Sequence, residues 1–84
     1  MYKVLLHKDA LKDLEKLKRA QLSGKALALK NILAEDPFRP PYEKLSGTVI
    51  PIYSRRINIQ HRMTYTVDKG NKVVRILRMW THYE

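Results

Sequence analysis

Two rules of spacing meet at one proline-rich stretch, and that junction limits the folds open to this chain more than any other feature. From Asp9 up to Pro37 apolar residues recur every three or four positions, the period of a helix; after Pro41 they recur every second position, the period of a strand. Pro37-Phe38-Arg39-Pro40-Pro41 itself cannot hold regular structure, because three of its five residues lack an amide hydrogen and have a fixed φ. It reads as a stiff, extended crossing between a helical part and a sheet.

Within that frame Tyr2-Lys3-Val4-Leu5-Leu6 is short, apolar and β-prone, which suits an opening strand. Asp9 reads as a helix N-cap, followed by Ala10, Leu11, Leu14 and Leu17 at helical spacing among charges. Ser23-Gly24 reads as the break. A second stripe of Leu22, Ala26, Leu29 and Leu33 then ends before Pro37, since a residue preceding proline avoids the helical region. Three β-like runs follow, at about 50–59, 62–67 and 72–80, the last two joined by Asp68-Lys69-Gly70-Asn71 as a tight turn. The order strand, helix, helix, three strands predicts an α+β fold with its helices on one face of the sheet. With 84 residues, the chain 1–84 is one domain.

The strand phases separate two sheet faces. Met63, Tyr65 and Val67 share one, Arg62, Thr64 and Thr66 the other; Arg56 and Asn58 fall on the polar phase against Tyr53, Ile57 and Ile59. Arg62 and Arg56 should therefore sit on a cationic shelf, away from the helices.

Charge narrows the function. The net charge is +9, and it is uneven: residues 1–36 carry eight Lys/Arg against five Asp/Glu, while residues 37–84 carry nine against three. Six of the seven arginines (Arg39, Arg55, Arg56, Arg62, Arg75, Arg78) lie in the second part. Guanidinium grips phosphate with a bidentate fork, so a polyanion, nucleic acid first, is the expected partner of that part. The absence of cysteine excludes disulfides and thiolate metal sites, and His7, His61 and His82 show no metal-ligand spacing. No run approaches the roughly 20 apolar residues of a membrane span, and Met1-Tyr2-Lys3 does not open a signal peptide, so a cytoplasmic protein with no membrane partner is expected.

Cutting RNA without a metal requires a base for the ribose 2′-OH, an acid for the leaving 5′-oxygen and a cation for the charge between them. Glu43, His82 and Arg62 are residues of those types, although taken singly Glu43 reads as a solvated loop carboxylate and His82 as an exposed chain-end residue. Trp80 and Tyr65 read as packing aromatics.

The run Tyr53-Ser54-Arg55-Arg56-Ile57-Asn58-Ile59-Gln60-His61-Arg62, then Tyr65, then the closing His82-Tyr83, resembles the YoeB/Txe branch of the RelE-like toxins, endoribonucleases of type II toxin-antitoxin systems. The likeness covers nearly the whole chain and is most specific from Pro37 onward. It implies a twisted antiparallel sheet with two N-terminal helices packed on one face. It also implies acid-base chemistry without metal or cofactor, in which Glu43 is the general base, Arg62 stabilises the transition state and His82 is the general acid. Tyr83 would orient the substrate and Arg56 would contact phosphate, with Arg55 beside it and Tyr53 placed where a base can stack. The family's lysine three positions after the glutamate falls at Ser46 here, which leaves Lys44 as the alternative carrier of that charge. Implied partners are messenger RNA, the A site of the small ribosomal subunit and an acidic antitoxin, largely unfolded when free; operator DNA for the toxin-antitoxin complex and a homodimer are also admitted. Two other functions remain open on the residues alone: a non-catalytic basic RNA- or DNA-binding module, and an inactive toxin homologue.

Overall fold

The structure is a computed structural model and describes residues 1–80. In chain order its elements are β1 (Lys3–Leu6), α1 (Lys8–Arg19), α2 (Ser23–Glu35), β2 (Glu43–Lys44), β3 (Tyr53–Arg56), β4 (Arg62–Asp68) and β5 (Val73–Arg78). Helix α1 starts two residues ahead of its acidic signal: His7 is the N-cap, and its Nδ1 accepts from the Asp9 amide at 3.1 Å. Asp9 sits instead in the first turn, where its charge complements the helix dipole.

The helical hairpin turns by a different device from the one expected. Leu22 N–H donates to the Leu17 carbonyl and Gln21 N–H to that of Lys18, with Gln21 at φ +61°. These are the two bonds of a Schellman motif, which glycine usually closes because it adopts positive φ without strain. Here glutamine does so, and Ser23-Gly24 opens α2 rather than separating the helices. The stripes hold at Ala10, Leu17, Ala26 and Leu33, all buried, with Leu14, Leu22 and Leu29 packed against them; Leu11 is exposed.

Five strands form one sheet in the order β1-β5-β4-β3-β2. The pairs β3/β4 and β4/β5 are antiparallel, as expected; β2, a two-residue strand too short for periodicity to reveal, pairs antiparallel with β3, but β1 runs parallel to β5, so the sheet is mixed. Parallel neighbours need a long crossover, and two helices with three intervening strands supply it. Residue periodicity carries no strand direction. The run expected over 50–59 pairs only from Tyr53 to Arg56; beyond it Asn58 Oδ1 accepts from the amides of Gln60 and His61, which closes a turn and leaves Ile59 94% exposed.

Val74, Ile76, Met63 and Tyr65 are fully buried with the helix stripes, and this sandwich is the core. The proline-rich crossing is fastened to it by one side chain: Tyr65 Oη donates to the Pro37 carbonyl at 2.8 Å in a buried setting. Burial, outweighing the neighbouring Arg55 charge, pushes the Tyr65 hydroxyl up to about 12, so it stays a donor. Tyr65→Phe should therefore lower stability by about 1–2 kcal/mol, because a buried carbonyl loses its partner; denaturant unfolding measures it, and an unchanged midpoint would show that water replaces the hydroxyl.

Candidate active site

Strand register decides which basic side chains can work together. Arg56 lies directly opposite Arg62, Ser54 opposite Thr64, and Glu43 opposite Ser54. Opposed residues share a face and residues two apart return to it, so Glu43, Ser54, Arg56, Arg62 and Thr64 form one set across β2, β3 and β4. Like charges directly opposite destabilise a sheet, so the Arg56/Arg62 pair is placed against the interest of folding. Glu43 offsets part of it: Arg62 Nη1 donates to Glu43 Oε1 at 3.3 Å, reaching past β3. The Arg62 side chain is 24% exposed and that of Glu43 65%, so the contact adds little stability, and both groups remain open to a ligand.

The cleft beside this set measures about 380 Å³ and is lined by Leu29, Pro41, Tyr42, Glu43, Ser54, Arg55, Arg56 and Arg62. Its location follows from the proline crossing, which delivers Pro41, Tyr42 and Glu43 to the edge of the sheet. Ser54 and Thr64 are buried, so the expected shelf is covered there rather than open. Ser54 Oγ, Thr64 Oγ1 and Arg55 Nε have no hydrogen-bond partner among the described residues, although buried polar atoms ordinarily find one.

The other candidates separate from this set. Arg55 stands in the opposite strand phase, across from Met63; it is 4% exposed, and its Nη1 donates to the Arg39 carbonyl. Consecutive residues of a strand alternate sides, so of the two motif arginines only Arg56 stands opposite Arg62, while the buried Arg55 borders the same cleft from the other strand phase. Tyr53 also takes that phase, packed edge-on to Phe38 at 5.3 Å and Tyr42 at 5.9 Å and tilted on Tyr65 at 5.8 Å. Its ring is engaged with aromatic neighbours rather than presented for a base. Lys44 is exposed opposite Tyr53 and, with Ser46, lines a separate hollow of about 470 Å³ in the loop that runs to Pro51. That hollow contains neither of the paired arginines nor the glutamate, so the cleft beside Glu43, Arg56 and Arg62 is the candidate site. His82 and Tyr83 lie outside the described residues.

Two residues not singled out by sequence reasoning hold the strand that leads to His82. Asp13 is 2% exposed at its side chain, and its Oδ2 accepts from Arg78 Nε at 2.7 Å and the Met79 amide at 3.1 Å. Its signal was visible: an acid at position 13 interrupts the apolar stripe of Ala10, Leu14 and Leu17. His61, beside Arg62 in sequence, stacks on Trp80. No helix among the described residues is long and apolar enough to cross a membrane.

The family model described as the ParE toxin of type II toxin-antitoxin system, parDE, matches residues 4–84. Comparison with curated proteins gives no significant match. Among solved structures, a YoeB/ParE toxin from Agrobacterium tumefaciens superposes with a TM-score of 0.85 at 26% identity, covering 96% of this chain and 99% of that one. The YoeB dimer from Staphylococcus aureus gives 0.82 at 25% identity, with 98% of each chain covered. The archaeal RelE-RelB complex from Pyrococcus horikoshii gives 0.79 at 30% identity over 95% of this chain and 93% of its counterpart. With a family match along almost its whole length and a sheet, helices and strand order shared with these structures, the chain belongs to the ParE toxin family of type II toxin-antitoxin systems and has the YoeB/RelE-like fold.

Proposed function

We propose that this toxin is an endoribonuclease that cuts messenger RNA in the A site of the small ribosomal subunit, with Glu43, Arg62 and His82 as its chemical groups. The observation that carries the proposal is the grouping of Glu43 with Arg62 at 3.3 Å, directly beside the opposed Arg56. A phosphodiester is the ligand that two facing guanidiniums and one adjacent carboxylate suit: the arginines hold the anion, and the carboxylate is within reach of the neighbouring ribose. Glu43 takes the proton of the 2′-hydroxyl, and the 2′-oxygen attacks the adjacent phosphorus. Arg62 and Arg56 hold the charge that builds on the phosphoryl oxygens. His82 gives a proton to the departing 5′-oxygen. The products are a 2′,3′-cyclic phosphate, which hydrolyses to a 3′-phosphate, and a free 5′-hydroxyl.

The net charge of +9 supports docking on ribosomal RNA and, in the resting complex, on an acidic antitoxin that neutralises the toxin. RelE is paired with RelB in one of the similar structures, and YoeB with YefM in another. Operator binding by the toxin-antitoxin complex, a homodimer of the free toxin and residence in the cytoplasm beside the ribosome complete the proposal. RNA with a single 2′-deoxy sugar at the cut position is expected to bind with an affinity close to that of the natural message yet stay intact. Cleavage of that analogue, followed on a sequencing gel, would remove 2′-oxygen attack.

A further inference from the structure

The phosphate chemistry leaves one residue of the cleft without a task. Tyr42 lines it between Pro41 and Glu43 and is 36% exposed. Its ring is not loose. It meets Phe38 edge-on, 5.9 Å between centroids and 67° between planes, and Tyr53 at 5.9 Å and 71°, while Phe38 and Tyr53 meet at 5.3 Å and 86°. Three rings so arranged form a triangle in which each is braced by the other two.

What lies beyond the triangle separates its members. Tyr53 also rests against Tyr65, tilted by 31° at 5.8 Å, and Phe38 has the Lys69 ammonium over its ring at 5.0 Å. Both are half-buried. Tyr42 is the most exposed of the three, and among the described residues no further ring or cation lies against it.

The neighbours of that ring point to a ligand. Arg56 and Arg62 supply charge for a phosphate, and an ordered aromatic surface beside cationic side chains is the combination that binds single-stranded nucleic acid, since every base has a π-face to stack. Consecutive Cα atoms lie about 3.8 Å apart, so the Tyr42 ring and the Glu43 carboxylate leave the backbone at adjacent points. On a ribose the base and the 2′-hydroxyl are likewise carried by adjacent carbons. A nucleotide with its 2′-hydroxyl at Glu43 therefore has its base within reach of Tyr42, and stacking that base limits how far the ribose can turn away from the carboxylate.

We propose that Tyr42 stacks on the base of the nucleotide immediately 5′ of the cut and so holds the attacking 2′-hydroxyl at Glu43. This rests on the ribonuclease function proposed above. The stacking role expected of Tyr53 from the sequence passes to its neighbour in the triangle, because the Tyr53 ring is used in packing against Tyr65.

The test compares two messages on programmed ribosomes, one natural and one with an abasic ribose, its 2′-hydroxyl kept, immediately 5′ of the cut. Tyr42→Ala is expected to lower kcat/KM on the natural message about 5- to 100-fold, and loss of the base should cost the wild type a similar factor. The two changes together should cost little more than either alone, because each removes the same stack. Tyr42→Phe keeps the ring and should stay within about two-fold of the wild type on both messages. Tyr42→Leu keeps apolar bulk against Phe38 and Tyr53 without a π-face; it is the folded control, and it should lose most of what alanine loses. Losses that multiply, so that Tyr42→Ala and Tyr42→Leu suffer the full further penalty of the abasic site, would overturn the stack. So would cutting of the natural message by either variant at the wild-type rate. A wild type that leaves the natural message whole is a separate result, which removes the ribonuclease function and the role of Tyr42 together.

Discussion

Glu43→Gln is expected to slow RNA cleavage by about 10²–10⁴-fold, the usual contribution of a positioned general base, while the protein stays folded and bound to RNA. The amide is close to the size of the carboxylate and still offers an oxygen to Arg62 Nη1, which now lies 3.3 Å from Glu43 Oε1. What it cannot do is accept the 2′-hydroxyl proton. Stability should move by less than about 1 kcal/mol, because the Glu43 side chain is well exposed and pairs on the surface. Single-turnover cleavage on programmed ribosomes separates this from a binding defect: the loss belongs in kcat, with KM little changed. Undiminished cleavage by Glu43→Gln would take the base out of the mechanism, and RNA binding without chemistry in the wild type, unaltered in Glu43→Gln, would leave a basic binding module in its place.

Asp13→Ala should be the most damaging change away from the cleft, lowering stability by about 3 kcal/mol, which for a domain of this size lowers Tm by more than about 10 °C. The substitution takes the acceptor from the buried Met79 amide and removes two contacts from Arg78, at 2.7 and 3.3 Å. A pH signature accompanies it. Burial pushes the Asp13 carboxyl up, but the Arg78 hydrogen bond and charge and the Met79 amide outweigh it, so the carboxyl is held below its ordinary 3.8. A group whose folded value is depressed stabilises fully above its unfolded value and loses that contribution as pH falls through the folded one. The gap between wild type and Asp13→Ala should thus be widest near neutral pH and close in acid below about 4. A gap that is unchanged down to pH 2 would mean that packing, not the carboxylate, is what alanine removes.

How far the chain could be read in advance depended on the kind of information each feature needs. Local periodicity was enough for the helix stripes of Ala10, Leu17, Ala26 and Leu33, for the proline crossing, and for placing Arg62 and Arg56 in the phase opposite Met63 and Tyr65. Strand direction is not local, so the parallel pairing of β1 with β5 was invisible. The positive φ of Gln21 was equally hidden, since nothing in a glutamine announces a left-handed residue. Arg55 shows the limit of motif transfer. Adjacent arginines in a strand look equivalent in a motif, yet the pleat sets Arg56 opposite Arg62 and Arg55 opposite Met63, where Arg55 borders the cleft as a buried side chain bonded to the Arg39 carbonyl. Asp13 and His61 needed partners 65 and 19 residues away to show what they hold.

Chemistry at the scissile bond is read most directly from the ends of the fragments. Message bound in the A site of purified ribosomes, treated with this toxin and mapped on both sides of the cut, should yield upstream pieces ending in a 2′,3′-cyclic phosphate or 3′-phosphate and downstream pieces beginning with a 5′-hydroxyl. Downstream pieces carrying a 5′-phosphate, or messages left whole at toxin concentrations that saturate the ribosomes, would contradict cleavage by Glu43, Arg62 and His82.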